Sequence, residues 1–215
     1  MSINRKEIKM SFDEFKSKFG KLPLISTEHL KLSSEDTQAM RNQLVRWIKN
    51  GKILRLKRNL YSLNQNDRKI EPSRAFIASE LYRSSYLSLE YALSFYGIIP
   101  EKSADVTSVT SKKTSVFSNV YGKFIYQHIK LECFTGFKEL KDEAGLPYYM
   151  AFPEKALADF LYLNQAVFTK DYKKILTKSY RIQKPDNFNA KLFNGYVSLF
   201  KSGKLKRIAE EVNKL

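Results

Sequence analysis

Apolar positions over residues 34–63 change period once, and that change sets out the first part of the chain. Met40, Leu44, Trp47 and Ile48 fall at i, i+4, i+7 and i+8, one buried stripe of an amphipathic helix. The opposite face carries Gln38, Asn42, Arg46 and Lys49. Gly51 predicts the end of this helix, because glycine takes a left-handed C-terminal conformation without a Cβ penalty. Ile, Leu and Tyr then dominate 53–56 and 60–63, two strands joined at Lys57-Arg58-Asn59, where asparagine suits a positive φ. Upstream, Ser11 and Glu14 have capping-box spacing ahead of a helix over 12–19 that Gly20 stops. Thr27 is read as the N-cap of a short second helix through Glu28, Leu30 and Leu32, and Ser33 or Ser34 as the cap of the third. His29 is assigned a surface or capping role. Three helices and a hairpin in about 55 residues predict a winged helix-turn-helix.

Residues 64–69 are polar and turn-rich, which places a boundary near 64–71 and divides the chain into domains 1–66 and 67–215. The second domain reads as larger and mixed. Helices are expected over 73–82 and after Ser88, the latter with Leu89, Ala92, Leu93 and Tyr96 on its buried stripe. Alternating β-branched or aromatic runs over 105–111, 124–129 and 148–152, separated by Gly122, Gly136 and Gly145, predict short strands. Pro153 opens a helix whose apolar face is Ala156, Leu157, Phe160 and Leu161. Further helices are expected over 171–179, 187–201 and 204–214. The fold class is therefore α+β: an N-terminal winged helix-turn-helix, then a short-stranded sheet with C-terminal helices.

Charge changes the picture from fold to partner. A net charge of +16 and a pI near 9.7 call for a polyanion, and no basic amphipathic helix of membrane type stands out. Residues 1–66 hold 14 Lys+Arg against 6 Asp+Glu, about twice the charge density of the remainder. From Arg41 to Arg58 there are seven cations and no carboxylate. A single-sign cluster on a helix-and-hairpin unit points to double-stranded DNA. Gln38, Arg41 and Asn42, at the start of the exposed face, are assigned to base edges. Arg46, Lys49, Lys52, Arg55, Lys57 and Arg58 are assigned to phosphates.

Catalytic patterns are missing from the sequence. It contains no phosphate-binding G-x-x-x-x-G-K-[ST] loop, no G-x-G-x-x-G, no H-E-x-x-H and no G-x-S-x-G. No catalytic residue, cofactor or metal site is therefore assigned, and the chain is read as not an enzyme. Glu154 and Asp159, at i and i+5, lie on nearly opposite faces of one helix and are not expected to cooperate. His128 is read as structural. Cys133 is the lone cysteine, expected as a small buried hydrophobe in a reducing cytoplasm. The first ten residues lack an apolar stretch of signal-peptide length, and no apolar run approaches a membrane span of about 20 residues. A cytoplasmic location is expected.

Three stretches together resemble the antitoxin of the AbiE (abortive infection) type IV toxin–antitoxin systems. They are R-x-Q-L-x-R-W-x-x-x-G-x-I-x-R-x-x-R-x-x-Y-x-L over 41–63, Y-L-S-L-E-Y-A-L-x-x-Y-G-I-I-P over 86–100, and A-x-P-E-K-A-L-A-D-x-L-Y-L over 151–163. The resemblance covers about residues 10–165; the first pattern is shared by many winged helices, and the second and third in that order carry the match. It implies a winged helix that binds inverted repeats in its own promoter and represses its operon. It also implies a C-terminal domain that counteracts a nucleotidyltransferase-type toxin without a stable complex. The oligomeric state stays open, a monomer that binds cooperatively on DNA being compatible. The alternatives are a stand-alone winged-helix regulator whose second domain senses a ligand or oligomerises, and an accessory protein of nucleic-acid processing or a nuclease.

Overall fold

A computed structural model describes residues 10–33 and 38–215. The chain is α+β and divides into two compact units, residues 1–73 with 118–121, and residues 74–117 with 122–215.

In the first unit, α1 (Phe12–Phe19) starts at a complete capping box: Glu14 N–H donates to Ser11 Oγ at 3.2 Å and Ser11 N–H to Glu14 Oε2 at 2.7 Å. The same contacts hold the Glu14 carboxyl below its ordinary range, the Ser11 backbone amide contributing most. A two-residue strand β1 (Ile25–Ser26) leads into α2 (Thr27–Leu32). The N-cap of α2 is Ser26, not Thr27 as the sequence suggested. Ser26 closes a box with His29, whose Nδ1 accepts from Ser26 N–H at 3.1 Å. Ser33 sits at the C-cap of α2 rather than opening the next helix, and Ser34 lies outside the described residues.

Helix α3 (Gln38–Lys49) is followed by Gly51 at φ +67° and then by β2 (Ile53–Lys57) and β3 (Leu60–Leu63). The sheet order is β1-β3-β2, antiparallel throughout. Asn59 in the hairpin turn has φ +65°, and a bulge between Arg55 and Lys57 shifts the register there. Asn119 Nδ2 donates to the carbonyl of Leu56, within that bulge, at 3.3 Å. Phe15, Phe19, Ile25, Leu30, Met40, Leu44, Trp47, Ile53 and Leu63 make one core, with Ile48 only partly buried at its edge. Phe12 and Phe15 pack on Trp47 with ring centroids 5.4 and 4.9 Å away.

The second unit contains α4 (Arg74–Leu81), β4 (Ser85–Leu87), α5 (Leu89–Phe95), β5 (Val106–Thr110), β6 (Ser115–Asn119, of which Ser118 and Asn119 belong to the first unit) and β7 (Gly122–His128). Strands β8 (Phe137–Lys141) and β9 (Pro147–Ala151) follow. Then come α6 (Pro153–Leu163), a short α7 (Tyr172–Lys174) continued by a π-helical turn over Ile175–Ser179, α8 (Ala190–Leu199) and α9 (Gly203–Asn213). The sheet order is β6-β7-β5-β4-β9-β8. It is mixed: β5 runs parallel to β7 and β4 parallel to β9, while the β4–β5 and β8–β9 pairs are antiparallel. Helix α5 packs on β5 and on α6, and α6 packs on α8 and α9. The α8 helix is shorter than the 187–201 its apolar stripe suggested. Asn189 caps it by accepting from Leu192 N–H at 3.0 Å, and Phe188 meets Phe193 across the cap as a hydrophobic staple.

Candidate nucleic-acid interface

The apolar stripe of α3 is consumed by the first unit's core, and that decides which of its side chains are left for other work. Met40, Leu44 and Trp47 are buried, whereas Gln38, Arg41, Asn42, Val45, Arg46 and Lys49 are exposed. Gln43 is buried too, and its Nε2 donates to the Met10 carbonyl at 2.7 Å, tying α3 to the segment before α1. Gln38 and Asn42 stand one turn apart and touch: Gln38 Nε2 donates to Asn42 Oδ1 at 3.1 Å. That bond uses the Gln38 NH₂ and the Asn42 carbonyl, so the Asn42 NH₂ and the Gln38 carbonyl are the donor and acceptor it does not use.

The hairpin supplies the other wall. A groove of about 440 Å³ is lined by Lys31 of α2, Arg41 and Val45 of α3, and Arg55, Arg58 and Tyr61 of the hairpin. Its floor is apolar, from Leu30, Leu44 and Ile48. Two structural choices build it: Gly51 turns the chain from α3 into β2, and the Arg58-Asn59 turn carries Arg58 on the hairpin tip. Among the described residues, no carboxylate pairs with Arg46, Lys49, Arg55 or Arg58. Lys31, Arg41, Arg55 and Arg58 around one open groove concentrate a positive potential that a phosphate backbone can neutralise.

The structure sorts the sequence-assigned residues into three places. Arg41, Arg55 and Arg58 come together in the groove; Gln38, Asn42, Arg46 and Lys49 share the outward face of α3. Lys52 stands apart, its ammonium 4.6 Å from the centre of the Phe12 ring at the edge of the core. Lys57, half-buried on β2, does not line the groove. Lys31, Val45 and Tyr61 line it without having been singled out from sequence. For Lys31 the available signal was its place near the end of a short helix just ahead of α3.

A second polar cluster is enclosed in the other unit. Asp159 is fully buried on α6 and accepts from the Tyr86 and Ser88 hydroxyls, each at 2.9 Å, while pairing with the equally buried Lys155 one turn earlier. Burial raises the Asp159 carboxyl above its ordinary range, with Lys155 opposing the shift. Burial also pushes the Tyr86 phenol well up, reinforced by the Asp159 charge. Because Ser88 gives its hydroxyl to Asp159, it makes no side-chain cap on α5. Thr107 Oγ1 accepts from Tyr91 N–H in its place, at 3.0 Å.

Glu154 is buried as well and accepts from Asn189 N–H at 2.8 Å, away from Asp159. The two acids do not meet, and both are buried. Cys133 is buried, with Sγ 3.4 Å from the Leu199 carbonyl. His128 lies at the surface with Nδ1 2.8 Å from the Lys112 carbonyl. Since Lys155 and Asp159 have no exposed surface, the cluster ties α6 to the β4–α5 segment rather than meeting a solute.

Among the described residues, no helix is long and apolar enough to cross a membrane. Comparison of the chain with known family models finds no match, and comparison with curated proteins finds none either.

Proposed function

We propose that the first unit is a winged helix-turn-helix that binds duplex DNA, with α3 as recognition helix and the β2–β3 hairpin as wing. The observation that carries this is the groove joining Arg41 of α3 to Arg55 and Arg58 of the hairpin beside an α3 face that is polar and basic. A backbone strand lying in that groove pairs with Arg55 and Arg58, and the Gln38–Asn42 amides face the base edges, where a bidentate amide contact favours adenine. Arg41 lines the same groove at the helix side and is assigned to a base edge; Arg46, Lys49, Lys52 and Lys57 are assigned to flanking phosphates.

The resemblance in the three sequence stretches supports the wider reading. In it the chain is an antitoxin of the AbiE type that represses its own operon at inverted repeats and opposes a nucleotidyltransferase-type toxin without a lasting complex. It acts in the cytoplasm and without catalysis of its own. A second reading, a stand-alone regulator whose second unit takes a ligand, draws on a cleft of about 450 Å³ between α8 and α9, within the usual size range of ligand sites.

The test joins the two halves of the proposal. The full chain, driven by a foreign promoter, is expressed beside the neighbouring toxin reading frame and beside a reporter fused to its own upstream region. Growth rescue without co-purification, together with reporter repression, is the expected result. Repression without rescue leaves the stand-alone regulator, and absence of both overturns the proposal. Asn42→Ala is expected to relax sequence preference, while Lys57→Ala weakens all duplexes alike.

A further inference from the structure

Val45 has no structural employment. The other large apolar side chains of α3 are buried or half-buried in the core, but Val45 is 66% exposed. Its neighbours on the helix surface are Arg41 and Asn42 one turn before and Lys49 one turn after, and it also borders the basic groove. An apolar knob amid polar and cationic groups is misplaced for solvent. It suits a partner that offers phosphates and hydrogen-bonding edges around one apolar group.

Resting on the proposed duplex binding, we infer that Val45 is a specificity residue that reads the C5-methyl group of a thymine. Of the groups displayed in the major groove, that methyl is the apolar one, and small aliphatic side chains are the ones that meet it. Valine on a helix is held close to one χ1 rotamer, so its methyls form a fixed surface rather than one that adapts to any base. Asn42, one turn away, takes an adenine edge in the proposed reading, so the two side chains together select an A·T-containing step.

The experiment uses the full chain and duplexes that it selects from a random pool, measured by fluorescence anisotropy. Each thymine of the selected site is then replaced singly by deoxyuridine, which removes the methyl and leaves the hydrogen-bonding edge intact. At one thymine per half-site, affinity is expected to fall about fourfold, the worth of one buried methyl-sized group. In Val45→Ala, which alanine's helix preference keeps folded and whose shorter side chain withdraws from the methyl, the same replacement is expected to cost clearly less. If the wild-type chain selects no preferred duplex, the DNA-binding reading fails and this inference with it. If it selects a site but every thymine-to-uracil change is silent, or the loss persists unchanged in Val45→Ala, the inference alone is overturned.

Discussion

Replacing Asp159 by leucine is the severest test of how the second unit is held together. The carboxylate has no exposed surface and serves three donors: the Lys155 ammonium and the hydroxyls of Tyr86 and Ser88. Asp159→Leu strands a buried cation and two buried hydroxyls at once, and removing one partner of a buried pair costs about 3–5 kcal/mol. Lys155→Met is expected to cost less, about 1–3 kcal/mol, because the raised carboxyl can take up a proton and keep both hydroxyl partners. The double variant Lys155→Met/Asp159→Leu should be more stable than Asp159→Leu alone, since no unpaired charge remains.

Urea unfolding followed by far-UV circular dichroism reports both units, whereas Trp47, the chain's one tryptophan, reports the first. The loss is expected in the part of the dichroism transition that Trp47 fluorescence does not follow. Equal losses for the two single variants, or a double variant worse than Asp159→Leu, would refute the assignment of an ion pair braced by two hydroxyls.

Gly51→Ala should cost about 1–2 kcal/mol, because φ is +67° and no atom within 4 Å offers compensating contact. The midpoint of the Trp47 fluorescence transition checks this, and an unchanged midpoint would mean that the joint between α3 and β2 does not need its left-handed turn. Tyr96 sets a pH dependence. Burial raises its phenol from 10.0 to about 12, and its hydroxyl donates to the Ala151 carbonyl at 2.9 Å. The unfolded chain ionises first, so this stabilisation is complete below pH 10 and is lost as pH rises through about 12. Tyr96→Phe should therefore lose less stability than wild type between pH 9 and 11.5 in urea midpoints, and parallel curves would exclude the effect.

Much of the first unit was legible because its signals are local. The capping box of α1, the stripe of α3, the glycine after it and the asparagine in the hairpin turn each act over four or five residues, and Phe12–Phe19 begins and ends where they place it. Ser26 and Thr27 are both competent caps, and spacing alone does not choose between them. The imidazole of His29, reaching back to the Ser26 amide, selects between them.

Strands β4, β6 and β8 carry no such local signal. Ser85–Leu87 is three residues, all buried, with no alternation to detect, and the edge strands Ser115–Asn119 and Phe137–Lys141 contain no fully buried residue. The Lys155–Asp159 pair looks in sequence like any i, i+4 ion pair on a solvated helix. Only the packing of α6 against α5, α8 and α9 removes it from water, and its partners Tyr86 and Ser88 lie more than 70 residues earlier. The same contacts join two of the three stretches on which the family resemblance rests, since Tyr86 and Ser88 come from the second and Asp159 from the third. The groove required the hairpin's placement beside α3, which no periodicity encodes.

Salt dependence of duplex binding addresses the central proposal most directly. With six cations assigned to phosphates, the logarithm of the association constant of the full chain is expected to fall against the logarithm of salt with a slope of about −5. In Arg55→Gln/Arg58→Gln that slope should flatten by about two units, with affinity reduced for every duplex sequence alike. A wild-type slope near zero, or a double variant whose slope equals that of wild type, would contradict the assignment of the groove between α3 and the hairpin to a DNA backbone.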